Sequence, residues 1–213
     1  MLWPTIIVPL GRYMGDGRNQ TMPAPAVTES RQVVEPSDEE LVRAVRHGDG
    51  RAGDELVRRH YQPLMRYLRR LGGSDHMAED LYQQTWVSVL DYLDRFDPSS
   101  TGGFKAWLFR IATNKANDHW RSQGRDKAAK SGLRLVTEQE APQAGSRLEG
   151  TEQQQRLLEA IDTLPENQKQ VLLMRYYGGL KFVEIAKTLG CPLNTALGRM
   201  HKAMLKLKQM MES

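Results

Sequence analysis

The side chains near the carboxyl end of the chain are of types that bind nucleic acid, not types that break covalent bonds. Apolar residues recur at helical spacing there, which predicts a helix that buries Leu193, Ala196, Leu197, Met200 and Met204. Its opposite face would carry polar and basic side chains: Asn194, Thr195, Arg199, His201 and Lys202. Lys and Arg neutralise phosphates and Asn reaches base edges, so the expected chemistry is recognition without catalysis.

No residues in the sequence are spaced for catalysis or metal binding. Glu79 and Asp80 are adjacent, and adjacent helix positions do not face each other, so the two do not form a general-acid pair. The five histidines have no metal-ligand spacing with Cys191. Gly102-Gly103 lacks the Lys and Ser or Thr that complete a phosphate-binding loop. The sequence therefore predicts neither an enzyme nor a bound metal or other cofactor.

A tight turn is predicted just before the basic helix. Helical periodicity over 165–177 stops at Gly178-Gly179, and a second, short helix covers 182–189. Gly190 and the Cys-Pro pair after it then make a sharp corner. Two helices joined in this way, the second one basic, are typical of a helix-turn-helix that enters the DNA major groove. A helical hairpin with a solvated basic face is the alternative interpretation.

Four helices are predicted upstream. The first begins at a capping box formed by Ser37 and Glu40, and the others cover about 51–71, 75–94 and 104–122. Pro63 predicts a kink or a boundary in the second helix. The side chains expected to face inward are Leu41, Val42 and Val45 in the first helix, Leu56, Val57, Tyr61, Leu64, Met65 and Leu68 in the second, and Ala78, Leu81, Tyr82, Thr85, Trp86, Val89, Leu90 and Leu93 in the third.

The fourth of these helices is amphipathic, with a basic outer side. Phe104, Trp107, Leu108 and Ile111 form its apolar stripe. Residues 104–130 hold seven basic and two acidic side chains, whereas residues 74–98 hold six acids and one arginine. The polar loop at 96–103 could hold an unstacked base against the basic helix. Taken alone, the helix also fits a solvated amphipathic face.

Composition and periodicity divide the chain into four parts. Residues 1–36 lack periodicity and are expected to be a disordered tail, 37–122 form a four-helix domain, 123–150 form a flexible linker, and 151–213 form a second helical domain. The fold class is therefore all-α. The single cysteine excludes an internal disulfide and, with a net charge of +4, fits a cytoplasmic binder of nucleic acid. Residues 1–10 are too short to span a bilayer, so neither membrane insertion nor a secretion signal is expected.

Three stretches resemble the extracytoplasmic-function group of bacterial RNA polymerase sigma factors, the type with two domains. AEDLYQQTW at 78–86 is similar to the family's acidic polymerase-binding helix. FKAWLFRIATNK at 104–115 is similar to its helix that approaches melted promoter DNA. Residues 164–165, 184–186, 189–192 and Thr195 resemble its C-terminal promoter-recognition domain. Together the resemblances extend over roughly 38–122 and 154–208, which is all but the expected tail and linker.

The resemblance implies three sets of contacts and no catalytic residues. The clamp helices of core polymerase would bind Glu79, Asp80, Gln83 and Gln84. The melted −10 element would be read by Phe96, Asp97, Ser99, Ser100, Lys105, Arg110, Asn114, Lys115, Asp118 and Arg121. The duplex −35 element would be read by Lys181, Asn194, Thr195, Leu197, Gly198, Arg199, His201 and Lys202.

The resemblance implies a sigma factor that directs core RNA polymerase to promoters, with the clamp and flap of the large subunits and promoter DNA as partners. Members of the family are often held by an anti-sigma protein, which is a further candidate partner. A stand-alone helix-turn-helix regulator is the alternative, and it would bind duplex DNA tightly without polymerase. Lys181 stands where the family often has Ser, which removes a helix cap that contributes about 1 kcal/mol. Leu197 could touch a thymine methyl or join the core, and Gly198 would allow close approach of the backbone.

Overall fold

The computed structural model describes residues 35–72, 74–131 and 152–212, and of residues 123–131 it describes the backbone alone. The described residues are helical, which confirms the all-α prediction. The helices are α1 (Asp38–Arg46), α2 (Gly50–Gly72), α3 (Asp75–Tyr92), α4 (Gly103–Ser131), α5 (Glu152–Asp162), α6 (Glu166–Tyr176), α7 (Phe182–Thr188) and α8 (Leu193–Glu212), with a 3₁₀ turn at Leu93–Arg95 after α3. Most of the predicted tail and the predicted linker beyond residue 131 lie outside the described residues.

The capping box that begins α1 is confirmed. The Ser37 hydroxyl accepts a hydrogen bond from the Glu40 backbone N–H at 3.2 Å, and the Glu40 carboxylate accepts one from the Ser37 N–H at 2.7 Å. The next residue, Asp38, joins α1 to α2 because its carboxylate lies 2.8 Å from both Arg59 Nη1 and His60 Nε2. Burial by itself would raise the pKa of Asp38, but His60 and Arg59 outweigh that effect and hold the pKa below its usual value.

Of the kink or boundary predicted at Pro63, the boundary is wrong, and so is the predicted end of the fourth helix. Pro63 neither ends nor divides α2, which runs unbroken from Gly50 to Gly72. The residues beside Pro63 offset its missing hydrogen bond by packing, since Leu64 and Leu68 are both fully buried. The other wrong boundary is the end of α4, which continues past the expected residue 122 to Ser131. Its final turns are rich in Ala, Lys and Arg, which are good helix formers.

An aromatic cluster around Phe104 forms the core of the first four helices. Phe104 is fully buried, and its ring centroid lies 5.5 Å from that of His60, 5.8 Å from those of Phe96 and Trp107, and 6.4 Å from that of Trp86. Aromatic pairs at such separations stabilise a core beyond their burial alone. Both tryptophans stay half-exposed at one edge. The cluster fixes the start of α4 against the loop before it.

Several residues predicted to face inward are exposed. On α2, Val57 and Tyr61 are 36% and 42% exposed, and on α3 Leu90 is 63% exposed. The prediction for α8 is also wrong at three positions, since Leu193, Leu197 and Met204 are between 40% and 50% exposed. The reason is that α8 packs along a narrower stripe than its apolar residues suggest, and this stripe consists of Ala196, Ala203 and Leu207.

The helices before and after the undescribed segment 132–151 pack against each other. The described residues from Pro36 onward form one compact unit, in which α4 contacts α7 and α2 contacts α6. The side-chain amide of Gln170 on α6 donates to Asn117 Oδ1 on α4 at 2.8 Å, and Gln170 is only 6% exposed. An ion pair joins Arg70 to Asp162 at 3.3 Å. The sequence did not predict this contact between the two domains.

Candidate nucleic-acid interface

The helix-turn-helix prediction is confirmed by α7, α8 and the turn between them. Gly190 adopts a left-handed backbone with φ of 59°, and the backbone N–H of Cys191 donates to Ala186 O at 3.0 Å. At the start of α7, the Glu184 carboxylate accepts a hydrogen bond from the Lys181 N–H at 2.8 Å. Lys181 has no acceptor to complete a capping box, so one half of the box is formed.

The residues predicted to read duplex DNA lie at the surface. We call the following set the α8 surface: Asn194, Thr195, Leu197, Gly198, Arg199, His201 and Lys202. All are exposed except Arg199, which is half-buried with its Nη1 atom 3.8 Å from Cys191 Sγ. Leu197 is 40% exposed, so of its two interpretations the core position is wrong. Lys181 is exposed at the start of α7.

A second polar stripe follows the outer side of α4. Arg110, Asn114, Asp118 and Arg121 are exposed at successive turns, and we call these four residues the α4 surface. The Arg121 guanidinium lies 3.7 Å from the Asp118 carboxylate, which holds the two side chains together on this stripe. The other two basic residues predicted on this helix, Lys105 and Lys115, are half-buried at its edges.

The loop before α4 presents polar side chains but not its aromatic one. Phe96 is 3% exposed in the aromatic cluster, so in this structure its side chain is buried where a DNA contact was expected. Asp97 Oδ1 accepts hydrogen bonds from the Ser99 backbone at 2.9 Å and from the Ser99 hydroxyl at 2.7 Å. These bonds, and the nearby charge of Lys187, lower the pKa of Asp97. Ser99 is exposed, and Ser100 is half-buried.

A cavity of about 110 Å³ lies between this loop, the beginning of α4 and the end of α7. One side is formed by the first domain: Arg95, Asp97, Ser100, Thr101, Ala106, Trp107 and Arg110. The other side is formed by Lys187 and Thr188 of α7. Gly102 permits this approach, because a Cβ atom on it would lie 2.9 Å from Glu184 Cγ. The contact between domains therefore places two residues of α7 on one side of the cavity where an unstacked base was expected.

An acidic and apolar surface runs along α3. Glu79, Gln83 and Gln84 are exposed, and the half-buried Asp80 lies 3.2 Å from His76 Nδ1. Two further members of this face, Val87 and Leu90, were not expected from the sequence. They are 59% and 63% exposed. Their spacing from Glu79 and Gln83 follows one helix face, which could have identified them. We call Glu79, Asp80, Gln83, Gln84, Val87 and Leu90 the α3 surface.

The α3 surface is supported from behind by aromatic side chains. The Tyr82 ring lies edge-on to Tyr61 of α2, with a centroid distance of 5.4 Å, and 6.2 Å from the ring of Trp86. Burial raises the pKa of Tyr82 to about 12, so its hydroxyl stays neutral at physiological pH. This packing holds the outer face of α3 in a fixed orientation relative to α2.

The described residues meet neither the requirements of a metal site nor those of a membrane span. Among residues 35–72, 74–122 and 152–212, no group of three or more His, Cys, Asp and Glu side chains could hold a metal ion. No helix of the described residues is long and apolar enough to cross a membrane.

Comparison with known proteins identifies the two domains. The family model for Sigma-70 region 2 matches residues 56–126, and the model for Sigma-70, region 4, matches residues 154–207. The ECF RNA polymerase sigma factor SigE of Mycolicibacterium smegmatis is 34% identical over 186 residues, which cover 82% of this chain and 69% of that protein. The RNA polymerase sigma-H factor of Pseudomonas aeruginosa is 28% identical over 184 residues, covering 80% of this chain and 92% of the relative.

The solved structures that resemble this chain agree with the family models. CnrH, solved in complex with the cytosolic domain of CnrY, superposes with a TM-score of 0.60 at 26% identity and covers 82% of this chain and 97% of CnrH. The sigma factor RpoE of Bartonella quintana, solved with the anti-sigma factor NepR, has the same fold with a TM-score of 0.60 at 23% identity, covering 75% of this chain and 96% of RpoE. The chain belongs to the extracytoplasmic-function RNA polymerase sigma factors, which direct core polymerase to promoters and have no catalytic activity of their own.

Proposed function

We propose that the chain distributes promoter recognition over the three surfaces described above. The first domain, 37–122, binds core polymerase through the α3 surface and reads the melted −10 element through the α4 surface and the loop before it. The second domain, 151–213, reads the −35 element through the α8 surface. The observation that best supports this proposal is that one acidic face and two basic faces occupy three separate surfaces of the chain.

The α8 surface suits duplex DNA. Its polar residues lie in the first half of a 20-residue helix that follows a sharp turn, as in recognition helices that insert into the major groove. Arg199 and Lys202 supply charge for phosphates, and Asn194 supplies an amide for a base edge. Leu197 adds an exposed apolar side chain that can contact a thymine methyl.

The α4 surface and the adjoining loop suit single-stranded DNA. Arg110 borders the cavity beside Trp107, so a base that leaves the duplex would meet both a cation and an aromatic ring. The Asp97–Ser99 hydrogen bonds fix the conformation of the loop at that point. Because Lys187 of α7 lines this cavity together with the loop, we propose that α7 withdraws from it when the −10 element binds.

The α3 surface suits a protein partner with basic and apolar groups, and we propose that this partner is the clamp of core polymerase. Glu79 and Asp80 contribute charge, and Val87 and Leu90 contribute exposed apolar area next to it. Apolar side chains surrounded by polar ones are typical of protein interfaces. The same face, or the closed arrangement of the domains, is a candidate target for an anti-sigma protein, and we expect the chain to act in the cytoplasm.

The proposal is tested by reversing the charge on α3. We expect Glu79→Lys with Asp80→Lys to abolish binding to core polymerase and promoter-directed transcription, while the circular dichroism spectrum stays that of the parent chain. Glu35→Lys with Glu159→Lys makes the same charge change at exposed positions off α3 and should bind as the parent does. Unchanged affinity of the α3 variant for core polymerase would remove the assignment.

The same reconstitution separates the sigma factor from the stand-alone regulator. With core polymerase and this chain, transcripts should start at defined positions on genomic templates, and neither component alone should produce them. A regulator would instead bind duplex DNA tightly by itself and would leave core polymerase without direction. The family matches do not favour the regulator.

A further inference from the structure

A cleft separates the beginning of α6 from the first half of α8. Its volume is about 290 Å³, and no acidic residue lines it: the lining residues are Asn167, Gln168, Thr195, Gly198, Arg199 and Lys202. Four of these belong to the α8 surface, whereas Asn167 and Gln168 come from α6 and were not expected to contact DNA. The cleft therefore extends the α8 surface onto a second helix.

Gly198 lines this cleft, and the protein itself has no need of a glycine there. A Cβ atom built on Gly198 meets nothing within 4 Å, and its backbone is not left-handed. Glycine inside a helix lowers stability relative to alanine because it restricts the unfolded chain least. Alanine would fit at this exposed helix position, yet the residue is glycine. We take this to indicate that a molecule outside the chain approaches the backbone of α8 closely.

The charges and hydrogen-bond donors around the cleft indicate the chemical nature of that molecule. The Arg199 guanidinium is held at the edge by its contact with Cys191 Sγ at 3.8 Å, and Lys202 is exposed one turn further along. The two α6 residues add side-chain amides, which donate hydrogen bonds to anionic oxygen. Glu166, the acid that precedes Asn167 in the chain, accepts a hydrogen bond from Gln170 Nε2 at 3.4 Å, and Gln170 also contacts Asn117 of the first domain. Two cations and two amide donors suit a phosphate.

We propose that the cleft holds one phosphate of the −35 DNA backbone, contacted by Asn167 and Gln168, and that Gly198 sets how closely this strand approaches α8. The inference rests on the proposed function of the α8 surface. It adds a contact on α6 that fixes the position of the DNA. The angle of α8 in the groove then depends on Gly198, and this angle determines which bases Asn194 and Thr195 can reach. Gly198 is therefore a position that determines sequence preference without touching a base.

The test uses holoenzyme reconstituted with core polymerase and a −35 duplex selected from a random library by the parent holoenzyme. We expect Gly198→Ala to raise the melting temperature of the free chain by a few degrees but to weaken duplex binding at least tenfold, and Gly198→Leu to weaken it further. Gly50→Ala is the matched control, because a Cβ atom at Gly50 also meets nothing within 4 Å. The control should leave duplex affinity unchanged.

The phosphate that the cleft contacts is identified by replacing individual phosphates of the duplex with an uncharged group. Duplexes with a single methylphosphonate at successive positions are titrated against the parent and against Asn167→Ala with Gln168→Ala. At one position the parent should lose affinity several-fold while the double variant loses none further, because the contact is already absent. The proposal is overturned if Gly198→Ala binds the duplex as tightly as the parent does. It is also overturned if no single methylphosphonate makes the parent and the double variant bind equally tightly. If Arg199→Ala and Lys202→Ala also bind like the parent, the −35 assignment of α8 fails as well.

Discussion

The contact between the two domains predicts that the free chain is closed and that weakening one amide pair will open it. Gln170 on α6 is 6% exposed, and its amide donates to Asn117 Oδ1 on α4 at 2.8 Å. Nearby, Gly178 lies against the ring of Phe109, which is fully buried, since a Cβ on Gly178 would be 3.1 Å from that ring. We expect Gln170→Ala to shift the chain toward an open form in which α7 no longer covers the cavity beside Trp107.

The size of the shift follows from the burial of the pair. Removing one partner of a buried hydrogen bond costs about 1–3 kcal/mol, because the other partner is left unsatisfied. Asn117 is half-buried and regains some contact with water, which favours the lower part of that range. A loss of about 1–2 kcal/mol increases the opening equilibrium constant about 5- to 30-fold, since each 1.4 kcal/mol is a factor of ten.

Two measurements follow the opening. Energy transfer between dyes on α2 and α5 should fall in Gln170→Ala, and a fluorescent single strand carrying a −10 element should bind the free variant more tightly than the parent. Gln153→Ala makes the same change of side chain at an exposed position on α5 and should alter neither signal. A covalent cross-link between α4 and α6 should have the opposite effect and keep the chain closed.

For that closure, Asn117→Cys and Gln170→Cys are combined with Cys191→Ser and bridged by a short bifunctional thiol reagent. We expect the bridged chain to bind the single strand poorly and to support little promoter-directed transcription, whereas the unbridged protein should support both. The reasoning is refuted if Gln170→Ala matches the parent in energy transfer, or if the bridged and unbridged proteins are equally active.

Two further predictions concern stability in the first domain. Because the pKa of Asp38 is lowered by His60 and Arg59, its stabilisation is present above the unfolded-state pKa and is lost as the pH falls through the folded-state pKa. We therefore expect the difference in urea unfolding between the parent and Asp38→Asn to shrink below about pH 4; a difference constant from pH 7 to 3 would contradict this. Tyr67→Phe removes a buried 2.8 Å hydrogen bond to Thr113 and should cost about 0.5–1.5 kcal/mol of unfolding free energy without changing promoter choice.

The features that the sequence predicted well are those that depend on near neighbours in the chain. The capping box of Ser37 and Glu40 involves two residues one helical turn apart, and the turn at Gly190 requires only a left-handed backbone next to a proline. The all-α class follows from helical periodicity over most of the described chain. The three residue sets were found through the family resemblance, and they remain proposals.

The features that the sequence did not predict depend on what packs against each helix. Pro63 is tolerated because neighbouring side chains bury that part of α2, and no local rule contains that information. Leu90 and Leu193 look like core residues because they are apolar and correctly spaced, yet among the described helices none buries them. The Gln170–Asn117 contact joins residues 53 positions apart across an undescribed segment, so periodicity could not indicate it.

The closed arrangement affects the three surfaces unequally, and this sets an order of events. Lys187 and Thr188 line the cavity beside the −10 loop, whereas the α8 surface and the α3 surface stay largely exposed. We therefore expect core polymerase and duplex DNA to bind to the closed chain, and an unstacked base to have full access to the cavity only after α7 moves. Binding that holds α7 and α8 elsewhere on the promoter would lower the population of the closed form. On this proposal, melted DNA is read by a cavity that the same binding event has uncovered.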